Sequence, residues 1–429
     1  MAAEATLSVE ERLYRLLRHL GVDQAHFAGW LPQDWGGLVA EYPQVISSLT
    51  LVNRFDRHLV GPVSTKLLVV TGDRGPAAET VRDAMRSVPG VQHVELSDYD
   101  MFAWSDVAGE RTREFADAML GFLARLTASG AAKSVSLPAG EGEVAGISYR
   151  IRGIGPPLVL LPLFLTHSQW EPLIPALGER YCTITLGGAP LGAVGILEAR
   201  GHAIGYLEMV RTLIEVAELR SGEAVLEVGC GSGVLARWLA RRTAGRNQIT
   251  GVDINPYLLR EANALARQED LEGAIEFRDG NAESLPFADN SFEVVMSVTV
   301  IEETDADRML AEMVRVTKPG GRVAVISRAL DLASPMNLPL SASLKAKVQA
   351  PGFFGDVSPQ GCADASLYRR VRQAGLTQVK ILPQLTAFDG ADPTVLQFLE
   401  GGRLRKLNEE EVREWQAARA EAEAAARST

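Results

Sequence analysis

The chain has 429 residues, and 43 Lys and Arg against 54 Asp and Glu give a formal net charge of −11. At roughly 150 residues per domain, this length predicts two or three domains. Hydrophobic residues at 46% and charged residues at 23% exclude a largely disordered chain. An acidic chain without clustered basic residues is a poor match for a polyanion, so nucleic acid is not expected as a partner.

Cysteine usage and apolar runs indicate the compartment. Cys182, Cys230 and Cys362 are far apart and odd in number, which favours a reducing environment and offers no thiol set for a metal. The first residues lack the basic and apolar regions of a signal peptide. The longest apolar run, residues 156–165, is about half of what a membrane-spanning helix needs. We therefore expect a cytoplasmic protein with no membrane span and no metal site.

The first part of the chain alternates between helical and strand-like patterns. Its two sets of strands resemble the later half and the opening strands of an α/β-hydrolase, in swapped order, and the resemblance implies one permuted sheet. We expect hydrolase-like regions over residues 1–126 and 146–200, separated by a small, polar linker at 127–145. The predicted strands of the first region are residues 22–30, 45–52, 66–71 and 91–96.

Hydrolase chemistry is not expected from this region. A nucleophile elbow needs Gly-x-Ser-x-Gly, and the matching stretch after Gly29 carries Leu31 instead of serine. Asp34 is an alternative nucleophile, but Pro32 occupies the position of its preceding glycine. Residues 99–101 (Tyr-Asp-Met) stand where the family keeps a histidine, and 162–164 lack the oxyanion glycine. A catalytically silent region that shapes a substrate pocket or mediates dimerisation is predicted.

From residue 202 onward, helices and strands alternate regularly. Such alternation predicts right-handed βαβ units and a parallel sheet, which binds ligands outside the carboxyl ends of its strands. The predicted strands are residues 224–228, 248–252, 275–277, 292–297 and 322–327, and the predicted helices are 202–219, 235–242, 256–268 and 305–316.

A glycine-rich turn follows the first of these strands. In residues 227–233 (Glu-Val-Gly-Cys-Gly-Ser-Gly), three alternate glycines let the backbone turn sharply and approach a ligand, and the helix that follows offers free N–H groups. Val234 breaks the dinucleotide fingerprint, and no Gly-Lys-Ser/Thr follows, which excludes a Walker loop. Asp253, at the end of the next strand, is suited to accept both hydroxyls of a ribose. Its alternative role is to cap the following helix.

With these motifs, residues 203–330 resemble a class I S-adenosylmethionine-dependent methyltransferase of the small-molecule group that includes quinone and sterol methylating enzymes. Residues 280–292 and the turn at 315–321 match the family as well. Asn281 stands where the family usually has an aspartate facing the adenine amino group, and its amide oxygen still accepts that hydrogen bond. Because Thr317 replaces an aliphatic residue of the quinone subset, no quinone substrate is assigned. The resemblance implies a Rossmann-like α/β fold with S-adenosylmethionine bound by Glu227, Gly229, Cys230, Gly231, Gly233, Asp253, Ile254, Asn281 and Ala282.

The resemblance also implies direct displacement at the sulfonium methyl group, for which the protein mainly supplies alignment. A base is needed only where the acceptor must lose a proton. All six histidines precede the glycine loop, so Glu302 and Glu303, after the fourth strand of the domain, are the nearest candidates. Their alternative role is a charge pair at a helix N-terminus.

The rest of the chain is assigned by pattern alone. We expect a methyltransferase domain over residues 201–395, with a lid insertion at 331–365 and a late strand at 378–382. The tail, 396–429, is predicted as one exposed helix whose apolar stripe packs on its own domain. The alternative is that this stripe contacts a second copy of the chain in a homodimer. That stripe is Leu404, Leu407, Val412 and Trp415.

Taken together, these patterns predict methyl transfer from S-adenosylmethionine to a small-molecule acceptor. Two alternatives stay open: a bifunctional hydrolase–methyltransferase, and a non-enzymatic S-adenosylmethionine-binding scaffold.

Overall fold

The computed structural model describes residues 7–30, 38–39, 41–53, 55, 66–86, 88, 90–101, 105–128, 137–188, 191–353, 357–388, 393–404 and 406–427. The chain divides into two compact units, Met1–Ile196 and Leu197–Thr429. Over the described ranges, no helix has the length and apolarity to cross a membrane. No group of three or more potential metal ligands occurs among the same residues.

The first unit is built on one eight-stranded sheet. Its strands are β1 Ala25–Trp30, β2 Ile46–Val52, β3 Leu67–Arg74, β4 Gln92–Asp100, β5 Gly140–Val144, β6 Ile147–Arg152, β7 Pro157–Leu163 and β8 Cys182–Gly187. The order is β4-β3-β2-β1-β7-β8-β6-β5, with β1 parallel to both β2 and β7. The segments before and after the linker therefore meet at the β1–β7 pair, which confirms the predicted joining of both segments in one sheet.

Apolar layers cover both faces of this sheet because successive residues of a strand point to opposite sides. Phe27 packs with the helix Val9–Leu20 on one face, and its neighbour Ala28 packs with the helix Thr112–Ala128 on the other. Other helices of the unit are Gly75–Met85, Val107–Glu110 and Ile174–Gly178.

The second unit holds a five-stranded parallel sheet in the order β11-β10-β9-β12-β13. The strands are β9 Val225–Val228, β10 Ile249–Asp253, β11 Ile275–Asp279, β12 Phe292–Val298 and β13 Thr317–Ile326. Its helices include Ile204–Val216, Val234–Thr243, Pro256–Gln268 and Ala306–Val316, and the helix Gly192–His202 precedes them in the chain. The chain changes direction across the sheet at β9, so a crevice for ligands is expected at the carboxyl end of that strand.

Two predicted features of this sheet differ from the structure. The strand predicted to begin at residue 322 begins at Thr317, and the turn at residues 318–321 lies within it, where the register shifts between the pairs Phe292–Thr317 and Val294–Arg322. The predicted late strand 378–382 is not a strand. Gln378 has a φ of 52°, which interrupts the extended backbone, and the residues that follow pair with no strand of the described chain.

The tail also differs from its prediction. It forms two helices, Pro393–Leu404 and Glu409–Arg427, instead of one. Leu407 and Trp415 are buried against Leu344 and Val348 of the helix Ala342–Gln349, which belongs to the predicted lid insertion. The apolar stripe is therefore not exposed, and its packing on its own domain is confirmed.

Candidate functional site

The glycine loop joins β9 to the helix Val234–Thr243. Gly229, Gly231 and Gly233 have φ values of 73°, 54° and 78°, in the left-handed region that glycine adopts at no steric cost. A Cβ atom at Gly229 would overlap Val300, and one at Gly233 would lie 2.6 Å from Cζ of Phe277. At these two positions, glycine makes room for neighbouring side chains of the protein itself. A Cβ atom at Gly231 would have one close neighbour, Cδ1 of Leu197 at 3.1 Å.

Asp253 closes β10 beside this loop. Its Oδ2 accepts a hydrogen bond of 2.8 Å from the Gly231 N–H, and its Oδ1 accepts one of 2.9 Å from the Asn255 N–H. Each carboxylate oxygen retains a lone pair for a further donor. The alternative role of Asp253 as a helix cap is wrong, because Asn255 caps the helix Pro256–Gln268 through the N–H groups of Tyr257 and Leu258. Burial raises the pKa of Asp253.

Glu227 lies behind the loop. Its side chain is buried, and burial raises its pKa to about 8. The backbone N–H of Ala236, in the first turn of the next helix, opposes that rise, while Oε2 of Glu227 has no hydrogen-bond partner among the described residues. The carboxyl group therefore supports the loop and the helix from the protein side.

The other predicted cofactor residues flank Asp253. Ile254, the next residue, is 65% exposed, which is unusual for an isoleucine beside a sheet. Asn281 follows β11, the strand paired with β10, and its Oδ1 accepts a hydrogen bond of 2.8 Å from the Glu283 N–H. Ala282 is half-buried. Cys230 is buried, and this burial raises the pKa of its thiol, so its backbone and not its sulfur contributes to the loop.

The two candidate carboxylates play different parts. Glu302 is fully buried, and its Oε1 accepts hydrogen bonds from the backbone N–H of Arg328 at 2.6 Å and from Nε of Arg328 at 3.4 Å. Its carbonyl oxygen accepts one from the Ser358 N–H at 2.9 Å. Glu302 therefore connects β12 to the segments after β13. The helix that follows is capped by Asp305, so the alternative of a charge pair at its N-terminus is wrong.

Glu303 reaches solvent, yet partial removal from water raises its pKa to about 7. The guanidinium of Arg328 lowers that pKa, and the carboxylate of Glu302 raises it. A carboxyl group with a pKa near neutrality is suited to accept a proton.

A group of residues that the sequence analysis missed covers the loop. Glu198 accepts a hydrogen bond of 2.7 Å from the Ser232 hydroxyl and pairs with Arg237 at 2.5 Å. Arg237, only 2% exposed, also donates to the Ser232 carbonyl and pairs with Glu269. The sequence signal for this group is Arg237, a charged residue within the apolar stripe of the helix Val234–Thr243. Because a buried charge requires partners, its position predicts acidic residues packed against this helix.

The site fits an adenosine ligand with an attached chain. A carboxylate with free lone pairs lies at a strand end, an exposed apolar side chain adjoins it, and an amide follows the neighbouring strand. The glycine turn, whose backbone is left-handed, follows β9, and Asp253 ends the neighbouring strand β10.

Comparison with known proteins agrees with this geometry. Residues 226–325 match the family model of a methyltransferase domain. Methyltransferase GfsG of Streptomyces halstedii is 37% identical over 118 residues, which are 27% of this chain and 42% of that protein. Ubiquinone/menaquinone biosynthesis C-methyltransferase UbiE of Legionella pneumophila (strain Corby) is 38% identical over 117 residues, 27% of this chain and 47% of that protein. The chain thus spans about half the length of these curated relatives.

Among solved structures, the [4+2]-cyclase SpnF is 27% identical, with a TM-score of 0.30, over 39% of this chain and 57% of its own. Residues 226–325 are thus similar to a methyltransferase domain, and strands β9 to β13 with their glycine loop have the mostly parallel, Rossmann-like α/β architecture of the class I methyltransferase fold.

Proposed function

We propose that the protein transfers a methyl group from S-adenosylmethionine to a small-molecule acceptor by direct displacement. The observation that carries this proposal is the Asp253 carboxylate, fixed by the N–H groups of Gly231 and Asn255 at the carboxyl end of β10. The bound cofactor supplies an activated methyl group. The contribution of the protein is to hold the two reactants in line and to exclude water.

The cofactor residues divide into three roles. Asp253 accepts the ribose hydroxyls, and Ile254 presents its exposed side chain to the adenine. Asn281 Oδ1 already accepts a hydrogen bond from the Glu283 N–H. Its second lone pair accepts one from the adenine amino group. Glu227 and the three glycines keep the loop in shape without direct contact through their side chains.

Where the acceptor must lose a proton, we propose Glu303 as the base, because its pKa of about 7 suits proton transfer near neutral pH. Glu302 is a positioning residue in this scheme because its Oε1 is taken by Arg328. The net charge of −11 supports a small acceptor over a polyanionic one.

The first unit is proposed to be a catalytically silent α/β-hydrolase-like region. In this interpretation, strands β5–β8 are the opening strands of the hydrolase sheet and β1–β4 the closing ones, an assignment that the observed strand order supports. Tyr99 and Met101 mark the end of β4, where the family keeps its histidine. Asp34, the alternative nucleophile, lies outside the described residues.

The proposal is tested by calorimetric titration of the protein with S-adenosylhomocysteine, the demethylated product. We expect binding by the wild type and at least tenfold weaker binding by Asp253→Ala, because two hydrogen bonds to a charged acceptor are lost. Asp289→Ala is the matched control, since this exposed carboxylate pairs with Arg315 on the surface. No binding by the wild type at millimolar ligand would contradict the proposal.

The acceptor is identified separately, by incubating cell metabolites with methyl-labelled S-adenosylmethionine and the protein. Label must appear in a small molecule, and must appear more slowly with Asp253→Ala at a cofactor concentration below its dissociation constant. Binding of S-adenosylhomocysteine without any labelled product would instead favour a non-enzymatic binding protein.

A further inference from the structure

Arg328 and Glu303 follow neighbouring strands of the second sheet. Arg328 comes two residues after β13 and Glu303 five residues after β12, and the two strands pair in parallel up to Val298 and Ile326. Both residues therefore lie at the carboxyl edge of the sheet, where ligands of such sheets bind. They are on the other side of β9 from Asp253, which ends β10.

Glu302 fixes the orientation of the Arg328 guanidinium. Its buried Oε1 accepts hydrogen bonds from the backbone N–H of Arg328 at 2.6 Å and from Nε at 3.4 Å. Because the guanidinium is planar, an Nε that faces Glu302 turns the edge formed by Nη1 and Nη2 away from it. This edge donates to no residue in the described part of the chain, and the Arg328 side chain is 32% exposed. Compensating the charge of Glu302 thus leaves two donors unused.

Glu303 is the complementary group beside this edge. Its exposed carboxylate forms no hydrogen bond or ion pair with the residues that the structure describes. Partial removal from water raises its pKa, and Arg328 is near enough for its charge to lower that pKa. The two groups are therefore close without pairing with each other. The space between them suits a ligand that offers a proton to the carboxylate and an oxygen to the guanidinium.

Three other charged groups lie within range of Glu303. Glu302 raises its pKa, as does Asp253, whereas Arg200 lowers it. Arg200 is engaged elsewhere, since its Nη1 donates a hydrogen bond of 3.2 Å to the Thr299 hydroxyl. Glu303 is therefore a proton acceptor whose strength is set by charges of both signs.

We propose that the methyl acceptor is a molecule with an acidic hydroxyl group, a phenol or an enol, whose oxygen is held by the free edge of Arg328 while Glu303 takes its proton. This inference rests on the proposed function, in which Asp253 holds the ribose and leaves the β12 and β13 side of the crevice to the acceptor. A lone pair of the hydroxyl oxygen forms the bond to the methyl carbon, and the electrons of the carbon–sulfur bond go to the sulfur. The proton passes to Glu303, and the products are a methyl ether and S-adenosylhomocysteine.

The charges of the site select against other acceptors. An amine is largely protonated near neutral pH, so it would be repelled by Arg328 and would lack a lone pair for the methyl group. A carboxylate needs no base, and its charge would lie beside that of Glu303. An aliphatic alcohol is too weak an acid for a carboxylate base. A phenol has a pKa of about 10, and a guanidinium lowers it by stabilising the oxyanion.

The first test is the chemical form of the methylated product. Cell metabolites are incubated with the protein and methyl-labelled S-adenosylmethionine, and the carbon NMR shift of the transferred methyl group shows which atom carries it. We expect the methyl ether of a phenol or an enol. An aliphatic ether, an ester, or a methyl group on nitrogen or carbon would overturn the inference and leave the proposed function in place. If the wild type bound no S-adenosylhomocysteine or formed no labelled product, the proposed function would fail, and this inference with it.

The second test is the contribution of Arg328 to acceptor binding. With the acceptor isolated in the first test, Arg328→Met should raise the KM for the acceptor about 10- to 100-fold. The affinity for S-adenosylhomocysteine should change less than about threefold, which also shows that the variant is folded. Arg211→Met is the matched control, because this exposed arginine of the helix Ile204–Val216 pairs with Glu208 on the surface.

Arg328→Lys guards against a purely structural effect, because Arg328→Met leaves the buried Glu302 without its cation. The lysine keeps the positive charge but lacks the planar edge, so an intermediate rise in the KM for the acceptor is expected. An unchanged KM in both variants would mean that Arg328 serves Glu302 alone. An equal loss of acceptor and S-adenosylhomocysteine binding in both variants would also overturn the inference.

Discussion

The buried carboxyl group of Glu227 predicts an unusual dependence of stability on pH. Burial raises its pKa from 4.5 to about 8 in the folded protein. A group whose pKa is raised on folding stabilises the protein below its unfolded pKa, and this contribution is lost as pH rises through the folded value. For Glu227, the loss extends from about pH 4.5 to pH 8.

The magnitude follows from the two pKa values. One pH unit corresponds to about 1.36 kcal/mol for one proton, so between pH 5 and pH 9 the cost of ionising Glu227 reaches at most about 4 kcal/mol. Glu227→Gln is nearly isosteric with the protonated side chain and cannot ionise. We expect the variant to match the wild type within about 1 kcal/mol at pH 5 and to be more stable by up to about 4 kcal/mol at pH 9.

The assay is urea unfolding of wild type and variant at pH 5, 6, 7, 8 and 9, followed by tryptophan fluorescence. Glu293→Gln is an informative control with the opposite sign. The Lys318 ammonium lowers the pKa of Glu293, so wild type should lose stability relative to this variant as pH falls. Parallel stability curves for wild type and Glu227→Gln between pH 5 and pH 9 would refute the reasoning.

Three further predictions concern catalysis, the loop and the tail. Glu303→Gln should lower the methylation rate about 100-fold or more and remove the acidic limb of kcat/KM near pH 7, with unchanged S-adenosylhomocysteine affinity in titration; a persisting limb would assign the base elsewhere. Gly233→Ala places a methyl group 2.6 Å from Phe277, so it should lower the free energy of unfolding by more than the roughly 1 kcal/mol expected at Gly245, which has φ 69° and open space; equal losses in urea unfolding would contradict the clash. Trp415→Ala should cost about 3 to 5 kcal/mol in the same assay, because the side chain is 2% exposed; a loss below 1 kcal/mol would mean that the tail does not pack as described.

The sheet of the second unit was predictable because its sequence signals are local. The glycine turn and the alternating periods of residues 202–330 placed β9 to β12 within two residues of their observed bounds. The strand at 378–382 was predicted from its apolar residues alone. This segment does not form a strand, because Gln378 has a left-handed backbone and the residues after it pair with no strand of the described chain.

The candidate site was predictable only in part. Its motif residues follow strand ends, where a sequence pattern locates them, and Asp253 lies beside the loop as expected. Glu198 and Arg200 come from a helix about 30 residues before the loop, and their contacts with Ser232 and Thr299 depend on tertiary packing. The distinction between Glu302 and Glu303 likewise required burial and hydrogen bonds that adjacent carboxylates in a sequence do not reveal.

The packing of the tail on the helix Ala342–Gln349 determines which part of this protein can be handled as a separate fragment. Lys347 pairs with Glu411, and the Ser341 N–H donates to Glu414, so the contact is polar at its rim as well as apolar at its centre. A fragment cut at residue 395, the boundary drawn from the sequence, would leave Leu344 and Val348 without their cover. The smallest portion suited to separate expression, grafting or exchange between proteins therefore runs through the final helix.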